Sequence, residues 1–282
     1  MSELTRKLFE RVGRHNRRSF AAATALAVVA LCSVIFVAGS GATLAPPATF
    51  EGSDGNLVVN STEDWASFPI DCATGAGCLI DTPSGSSDNA FGQGTQEDDT
   101  NVTVVDGSIP PNKNDLTRSY ITTEVLGGNT YLYLAWERAV NTGSANIDFE
   151  LNQNPTPGFD GSQVTNLPLT RTAGDILIAY DFGGSGTPTI SLLRWVTSGP
   201  GSQCDKANTT PCWGKRVDLT AAGFAEAMVN TGPVSDPFLS NTANNVGTGL
   251  FGEAALNLSS TELHVFEPHT CRAFGDMFVK SR

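Results

Sequence analysis

Positive charge is scarce in this chain. Its 282 residues hold 17 Lys and Arg against 29 Asp and Glu, a formal net charge of −12. A nucleic-acid partner needs clustered basic side chains to displace counterions from phosphate, so that class is excluded. Charge of either sign is low, at 16% of residues, while 40% are hydrophobic, which excludes a disordered polyelectrolyte. The 29 glycines keep no three-residue period, so a collagen-like rod is excluded as well. What remains is a chain long enough to bury a sizeable core in one large domain or two small ones.

The few cations are concentrated at the start. Arg6, Lys7, Arg11, Arg14, Arg17 and Arg18 precede a charge-free run from Phe20 to Val37, and small residues follow at Ala38 to Ala42. A basic start, an apolar core and a small-residue exit form a secretory signal, residues 1–42, cut after Ala42. The alternative is an uncleaved anchor, since the run approaches the length of a bilayer span. In that case the only membrane contact is through this N-terminal segment. Residues 43–49 read as a short linker, and 50–282 as the exported domain. Without the six basic and two acidic residues of 1–42, 11 basic side chains face 27 acidic ones, a net of −16. Such a surface stays soluble and repels anionic polymers.

Export places the cysteines in an oxidising compartment. Cys72 and Cys78 flank a Gly-containing loop, and Cys204 and Cys212 flank Asp-Lys-Ala-Asn-Thr-Thr-Pro. Two local disulfides are the natural pairing. Zinc fits poorly, because neither pair has a knuckle's two-residue spacing and His264 and His269 are the only exported histidines. Cys271 is left without an assigned partner.

Period-two patterns and turn signals dominate the exported part. Tyr131–Trp136 is apolar on both faces and reads as a central strand. Asn146–Leu151 alternates Ile147, Phe149 and Leu151 inward with Asp148 and Glu150 on an exposed face. Asp175–Phe182, Thr189–Trp195, Tyr120–Leu126, Ala273–Lys280, Leu57–Val59 and Val102–Val105 also fit strands. Leu219–Val229 allows a short helix capped by Thr220. Against that, its Phe224–Asn230 part echoes Phe251–Asn257, which favours two strands. Many short strands predict an all-β fold, a single antiparallel β-sandwich of jelly-roll-like type. Residues 81–116 form the longest irregular stretch.

No catalytic set assembles. Gly183-Gly-Ser-Gly-Thr187 lacks the last glycine of a nucleophile elbow. His264 and His269 lack the spacing of a zinc-protease helix. A glycosidase needs two carboxylates across a sugar cleft, and Glu97, Asp98, Asp99, Glu137, Asp148 and Glu150 supply only the number. Calcium is a more physical use of such acids, because it takes six to eight oxygens from carboxylates, amides and carbonyls. Glu51-Gly-Ser-Asp54-Gly-Asn56 and the acids of the long loop offer such oxygens on turns. Asp88, Glu97, Asp98 and Asp99 are the candidate calcium ligands, with Asp54 contributing from outside; the plain alternative is solvated acidic loops. An amide cross-link from Lys280 to Asn257 beside Glu253 competes with a lysine left in water at a sheet edge.

Several stretches resemble a family of actinobacterial secreted surface proteins. They are Asp98–Thr117, Tyr131–Arg138, Ala145–Gln153, Gly174–Phe182 and Phe274–Arg282. The resemblance implies an N-terminal β-sandwich, often preceding pilin-like, prealbumin-like repeats and a cell-wall sorting tail. It implies a surface, adhesin-like role and supplies no catalytic residues. This chain shows neither repeats nor a Leu-Pro-x-Thr-Gly tail, which reads as a member shortened at its C-terminus. The functional expectation is a secreted or cell-surface structural or binding module without catalysis. Its partner is an extracellular ligand: a glycan, a host protein or a cell-wall protein. The alternative is a glycosidase-like enzyme or a glycan-binding module working through surface carboxylates.

Overall fold

The computed structural model describes residues 44–83, 88–92, 96–107, 115–159, 162–239, 245–259 and 273–281. Residues 1–42, expected to be a signal segment, and His264, His269 and Cys271 lie outside them. Two antiparallel sheets face each other. The first has strand order β1 (Cys78–Ile80), β4 (Leu116–Leu126), β5 (Asn129–Arg138), β15 (Phe251–Asn257) and β12 (Ala225–Val229). The second runs β10 (Cys212–Trp213), β9 (Thr189–Val196), β8 (Ile176–Phe182), β6 (Ala145–Asn152) and β16 (Asp276–Ser281), with β11 (Val217–Asp218) also on β9. A small sheet joins β2 (Asn89–Phe91), β3 (Asn101–Asp106) and β7 (Val164–Pro168), and β13 (Val234–Ser235) pairs with β14 (Asn245–Val246). The predicted all-β antiparallel sandwich is the observed architecture.

The sandwich follows from the alternation along its strands. Leu132, Leu134 and Trp136 of β5 face Ile147, Phe149 and Leu151 of β6 and Ile176, Ile178 and Tyr180 of β8 in one buried core. A second apolar layer lies on the outer face of the first sheet. There Tyr131, Tyr133 and Ala135 are covered by Leu44, Phe50, Leu57 and Trp65. A strand covered on both sides reads as a continuous apolar run, which is the pattern of β5. The β4–β5 hairpin closes through Gly127 and Gly128, both at positive φ (59° and 84°), as a two-residue turn with matching twist demands. Gly252 is required for a different reason. A Cβ there would lie 2.4 Å from the Trp136 ring, its register partner on β5.

Local readings differ from the structure in four places. Asp148 and Glu150 are fully buried rather than on an exposed face, because β16 pairs alongside β6 and Arg171 closes over Glu150. Leu57–Val59 is not a strand; Leu57 inserts into the outer core while Val58 and Val59 face water. The helix α1 is only Leu219–Ala222, capped by Asp218 rather than Thr220, whose hydroxyl accepts from Ile190 N. The echo that follows it is, as expected, two strands, β12 and β15, and they pair with each other. Residues 44–49, read as linker, are packed from Leu44 onward: Leu44 is buried, Ala45 N donates to Gly223 O, and Tyr131 Oη donates to Pro46 O.

Both expected disulfides are present, Cys72–Cys78 and Cys204–Cys212. Closing loops this short contributes on the order of 2–3 kcal/mol each in the chain-entropy account. Two intrachain disulfides are typical of proteins that live outside the reducing cytosol. Among the described residues no helix is long and apolar enough to cross a membrane.

Candidate functional site

Two places gather acidic groups. The first is on the outer face of the central sheet, where residues 50–65 turn back over β15. Gly52 permits the approach, since a Cβ there would meet the Ala255 Cβ at 2.4 Å. Phe50 stacks on Tyr133 at 4.0 Å, and Trp65 meets Phe50 edge-on at 5.2 Å. Between these anchors, Glu51 accepts from Asn60 N (2.8 Å), Ser61 N (2.7 Å), Thr62 N (3.0 Å) and the Ser61 hydroxyl. Burial pushes its carboxyl up, but the Ser61, Asn60 and Thr62 hydrogen bonds together hold it below the ordinary value. Asp54 Oδ2 accepts from the side-chain amides of Asn56 and Asn60, at 2.7 and 2.9 Å.

Asp64 completes this group. It is 0% exposed and Oδ1 accepts from Trp65 N at 2.6 Å, while Oδ2 is buried without a hydrogen-bond partner. Burial first, then the charges of Asp54 and Glu51, push its carboxyl up to about 8. One carboxylate oxygen each from Glu51, Asp54 and Asp64 lies within 4.8 Å of the other two. Among the described residues this is the one group compact enough to hold a metal ion. Glu253 of β15 sits beneath it, fully buried, accepting from Gly55 N (2.6 Å) and Trp65 Nε1 (3.0 Å). Burial, then Asp64 and Asp54, raise its carboxyl well above the ordinary range.

The second place is a cleft of about 510 Å³ where the edges of the two sheets and β2 meet. Its apolar lining includes Leu79 and Ile80, 46% and 57% exposed on edge strand β1, and Phe91 stacked at 6.4 Å on Phe159. Asp81, Asp88 and Asp115 supply acid, and Arg118 and Lys280 stand on the walls. Burial, then the Asp88 charge, push the Asp81 carboxyl up to about 6, with Asp115 adding to it. Asp115 is raised by the same two causes, burial and Asp88. Arg118 Nη1 bridges Glu137 (3.2 Å) and Asp236 (3.1 Å) on the cleft's flank. Burial, then Asp236, raise Glu137 to about 7.

The proposed calcium ligands are distributed between these places and a third. Asp54 belongs to the first group and Asp88 to the cleft. Glu97 and Asp98 fasten the loop carrying the second disulfide, and Asp99 lies beside them. Asp98 Oδ1 accepts from Trp213 N (2.6 Å), Glu97 O accepts from Trp213 Nε1 (2.8 Å), and Asp99 Oδ2 accepts from Gln96 N (2.8 Å). The Glu97 backbone and the Asp98 carboxylate both hold Trp213, the Glu97 carboxylate pairs with Lys206 at 3.4 Å, and Asp99 closes its own turn. Lys280 does not face Asn257: its Nζ lies 2.6 Å from Glu150 Oε2, while Asn257 Nδ2 donates to Ala45 O. Sequence reasoning did not single out Asp64, Asp81 or Asp115. An acid directly before a tryptophan, Asp64-Trp65, was the available signal for the first, because a core tryptophan carries its neighbour inward. Comparison of the chain with protein-family models, with curated proteins and with solved structures found no match.

Proposed function

We propose that the chain is an exported structural and binding module of the cell surface, adhesin-like and without catalysis, which engages an extracellular ligand through the cleft at the sheet edges. The observation that carries this reading is the cleft itself. It is within the usual size range of ligand pockets and pairs an apolar floor with a few convergent polar groups. Carboxylates that accept from hydroxyls, beside the aromatic faces of Phe91 and Phe159, favour a glycan over the other two ligand classes, a host protein and a cell-wall protein. The two disulfides and the acidic surface support life outside the cell. The resemblance to actinobacterial surface proteins points the same way. N-terminal sequencing of the extracellular protein is expected to begin near Thr43. An intact N-terminus recovered from the soluble cytoplasm would defeat the export part of the reading.

One observation favours a second reading. Asp81, pushed up to about 6 beside Asp88 and Asp115, has the character of a general acid next to a second carboxyl, the pairing glycosidases use. A glycan array run beside a broad glycosidase screen separates the two. The binding reading expects retention on specific glycans, weakened about tenfold or more by Phe91→Ala or Asp115→Asn, with no turnover. Turnover abolished by Asp81→Asn would establish the enzyme instead.

A further inference from the structure

We propose that Glu51, Asp54 and Asp64 form a calcium site that clasps residues 50–65 onto the outer face of the central sheet. The inference goes beyond the ligand cleft and does not depend on it. Two oxygens bound to one calcium ion are at most about 5 Å apart, twice a bond of about 2.3–2.6 Å. The Glu51, Asp54 and Asp64 oxygens meet that condition together.

Proximity of exposed acids alone would mean little. The independent observation is Asp64. Its side chain is 0% exposed, its Oδ2 has no donor, and the carboxyl group brings one oxygen within 4.8 Å of an oxygen from each of two other carboxylates. A buried carboxylate oxygen facing like charge needs a proton or a cation. The surroundings suit the cation. Four hydrogen bonds keep Glu51 ionised, and Asp54 is at the surface, where an ion enters from water. The Asn60 side chain already reaches Asp54, and turning its amide end for end presents an oxygen. This mixed set of carboxylate and amide oxygens matches calcium's irregular coordination better than magnesium's octahedron, which retains several waters. The neighbouring Glu253 lies fully buried beneath the three acids. Gly55 N and Trp65 Nε1 occupy its two oxygens, so it acts as a base plate beneath the ligands.

The test uses the whole 282-residue chain, stripped with chelator and titrated with calcium chloride, with magnesium chloride as the comparison. Melting is expected to rise by about 5–10 °C at a hundred times the dissociation constant, with a much smaller rise in magnesium. Terbium bound at the site is expected to luminesce on tryptophan excitation, because Trp65 adjoins Asp64. Asp64→Asn should abolish both signals and, in chelator, melt close to the parent, since the amide oxygen can still accept from Trp65 N. Asp54→Asn, at an exposed position, should abolish them without bearing on the core and serves if the first variant fails to fold. An identical melt in chelator and calcium, with no sensitised emission, would overturn the site. So would a calcium response that persists undiminished in a folded variant of either residue.

Discussion

Arg171→Ala is expected to destabilise the protein by about 3–5 kcal/mol at pH 7. The guanidinium is fixed on a fully buried carboxylate: Nε lies 2.6 Å from Glu150 Oε1 and Nη2 lies 2.8 Å from Oε2. The side chains of Arg171 and Glu150 are 3% and 0% exposed. Lys280 Nζ completes the triad, 2.6 Å from the same Oε2. Removing Arg171 leaves a buried anion with one cation, and desolvation that two partners offset together falls on one. The stacks of the guanidinium over Trp195 (4.6 Å) and Trp213 (5.3 Å) go with it. So does its hydrogen bond to Asp99 O, which ties the 96–99 turn to the sheet.

The pH dependence separates the charge effect from the packing effect. Burial pushes the Glu150 carboxyl up, but Lys280 and Arg171 reverse it and hold the group at about 2, below the ordinary 4.5. A lowered folded-state value means the triad's stabilisation is complete above the ordinary value and disappears as pH falls through about 2. Denaturant unfolding of parent and variant at several pH values should therefore show a gap widest above pH about 5, narrowing towards pH 2 to the stacking contribution. Arg171→Lys, which keeps charge without the planar fork, should fall between them. A deficit under about 1 kcal/mol, or one indifferent to pH, would mean that Lys280 and water suffice for Glu150.

This triad also marks the limit of what the residue pattern can say. The sheet is legible because its signal is local: Tyr131–Trp136 and Asp175–Phe182 are rich in β-formers, and Gly127-Gly128 specifies its own turn. Alternation shows which residues of β6 share a face. It does not show what covers that face, and so Asp148 and Glu150 look like solvent positions. Their cover comes from Arg171 and from β16, 21 and 130 residues away in the case of Glu150's partners. The acidic sites divide the same way. Local disulfide loops are visible in cysteine spacing, and the oxygen-rich turn at Glu51–Asn56 is visible in composition. Asp64 joins that turn only because Trp65 is buried against the central sheet, and the cleft acids Asp81, Asp88 and Asp115 converge only when edge strands from two sheets meet. Glu97, Asp98 and Asp99 look like ion ligands in sequence because charge density is all that sequence displays. Their directions, Glu97 towards Lys206, Asp98 towards Trp213 N and Asp99 towards Gln96 N, belong to the tertiary structure.

Trp65→Ala is expected to cost about 3–5 kcal/mol and to loosen residues 44–77 before the sandwich itself unfolds. The indole is 0% exposed and holds the covering segment from two sides. It packs edge-on to Phe50 at 5.2 Å and tilted on Tyr120 at 5.7 Å, and its Nε1 donates to Glu253 Oε2 at 3.0 Å. Truncation opens a cavity beneath a segment with little regular structure of its own, only the 3-10 turn at Trp65–Ser67. It also removes one of the donors that compensate a fully buried carboxyl. The inter-sheet core, in contrast, contains none of these residues. The loss should therefore appear first as local opening: limited proteolysis between residues 44 and 70, and faster amide exchange there than in β6 and β8. Trp65→Phe fills most of the cavity but cannot donate to Glu253, so its deficit should be smaller and should track the lost hydrogen bond, about 1–2 kcal/mol. The order parent, Phe, Ala is the diagnostic result. Equal resistance of parent and Trp65→Ala to protease in this segment would show that Phe50, Leu57 and the Cys72–Cys78 loop hold the cover without the indole.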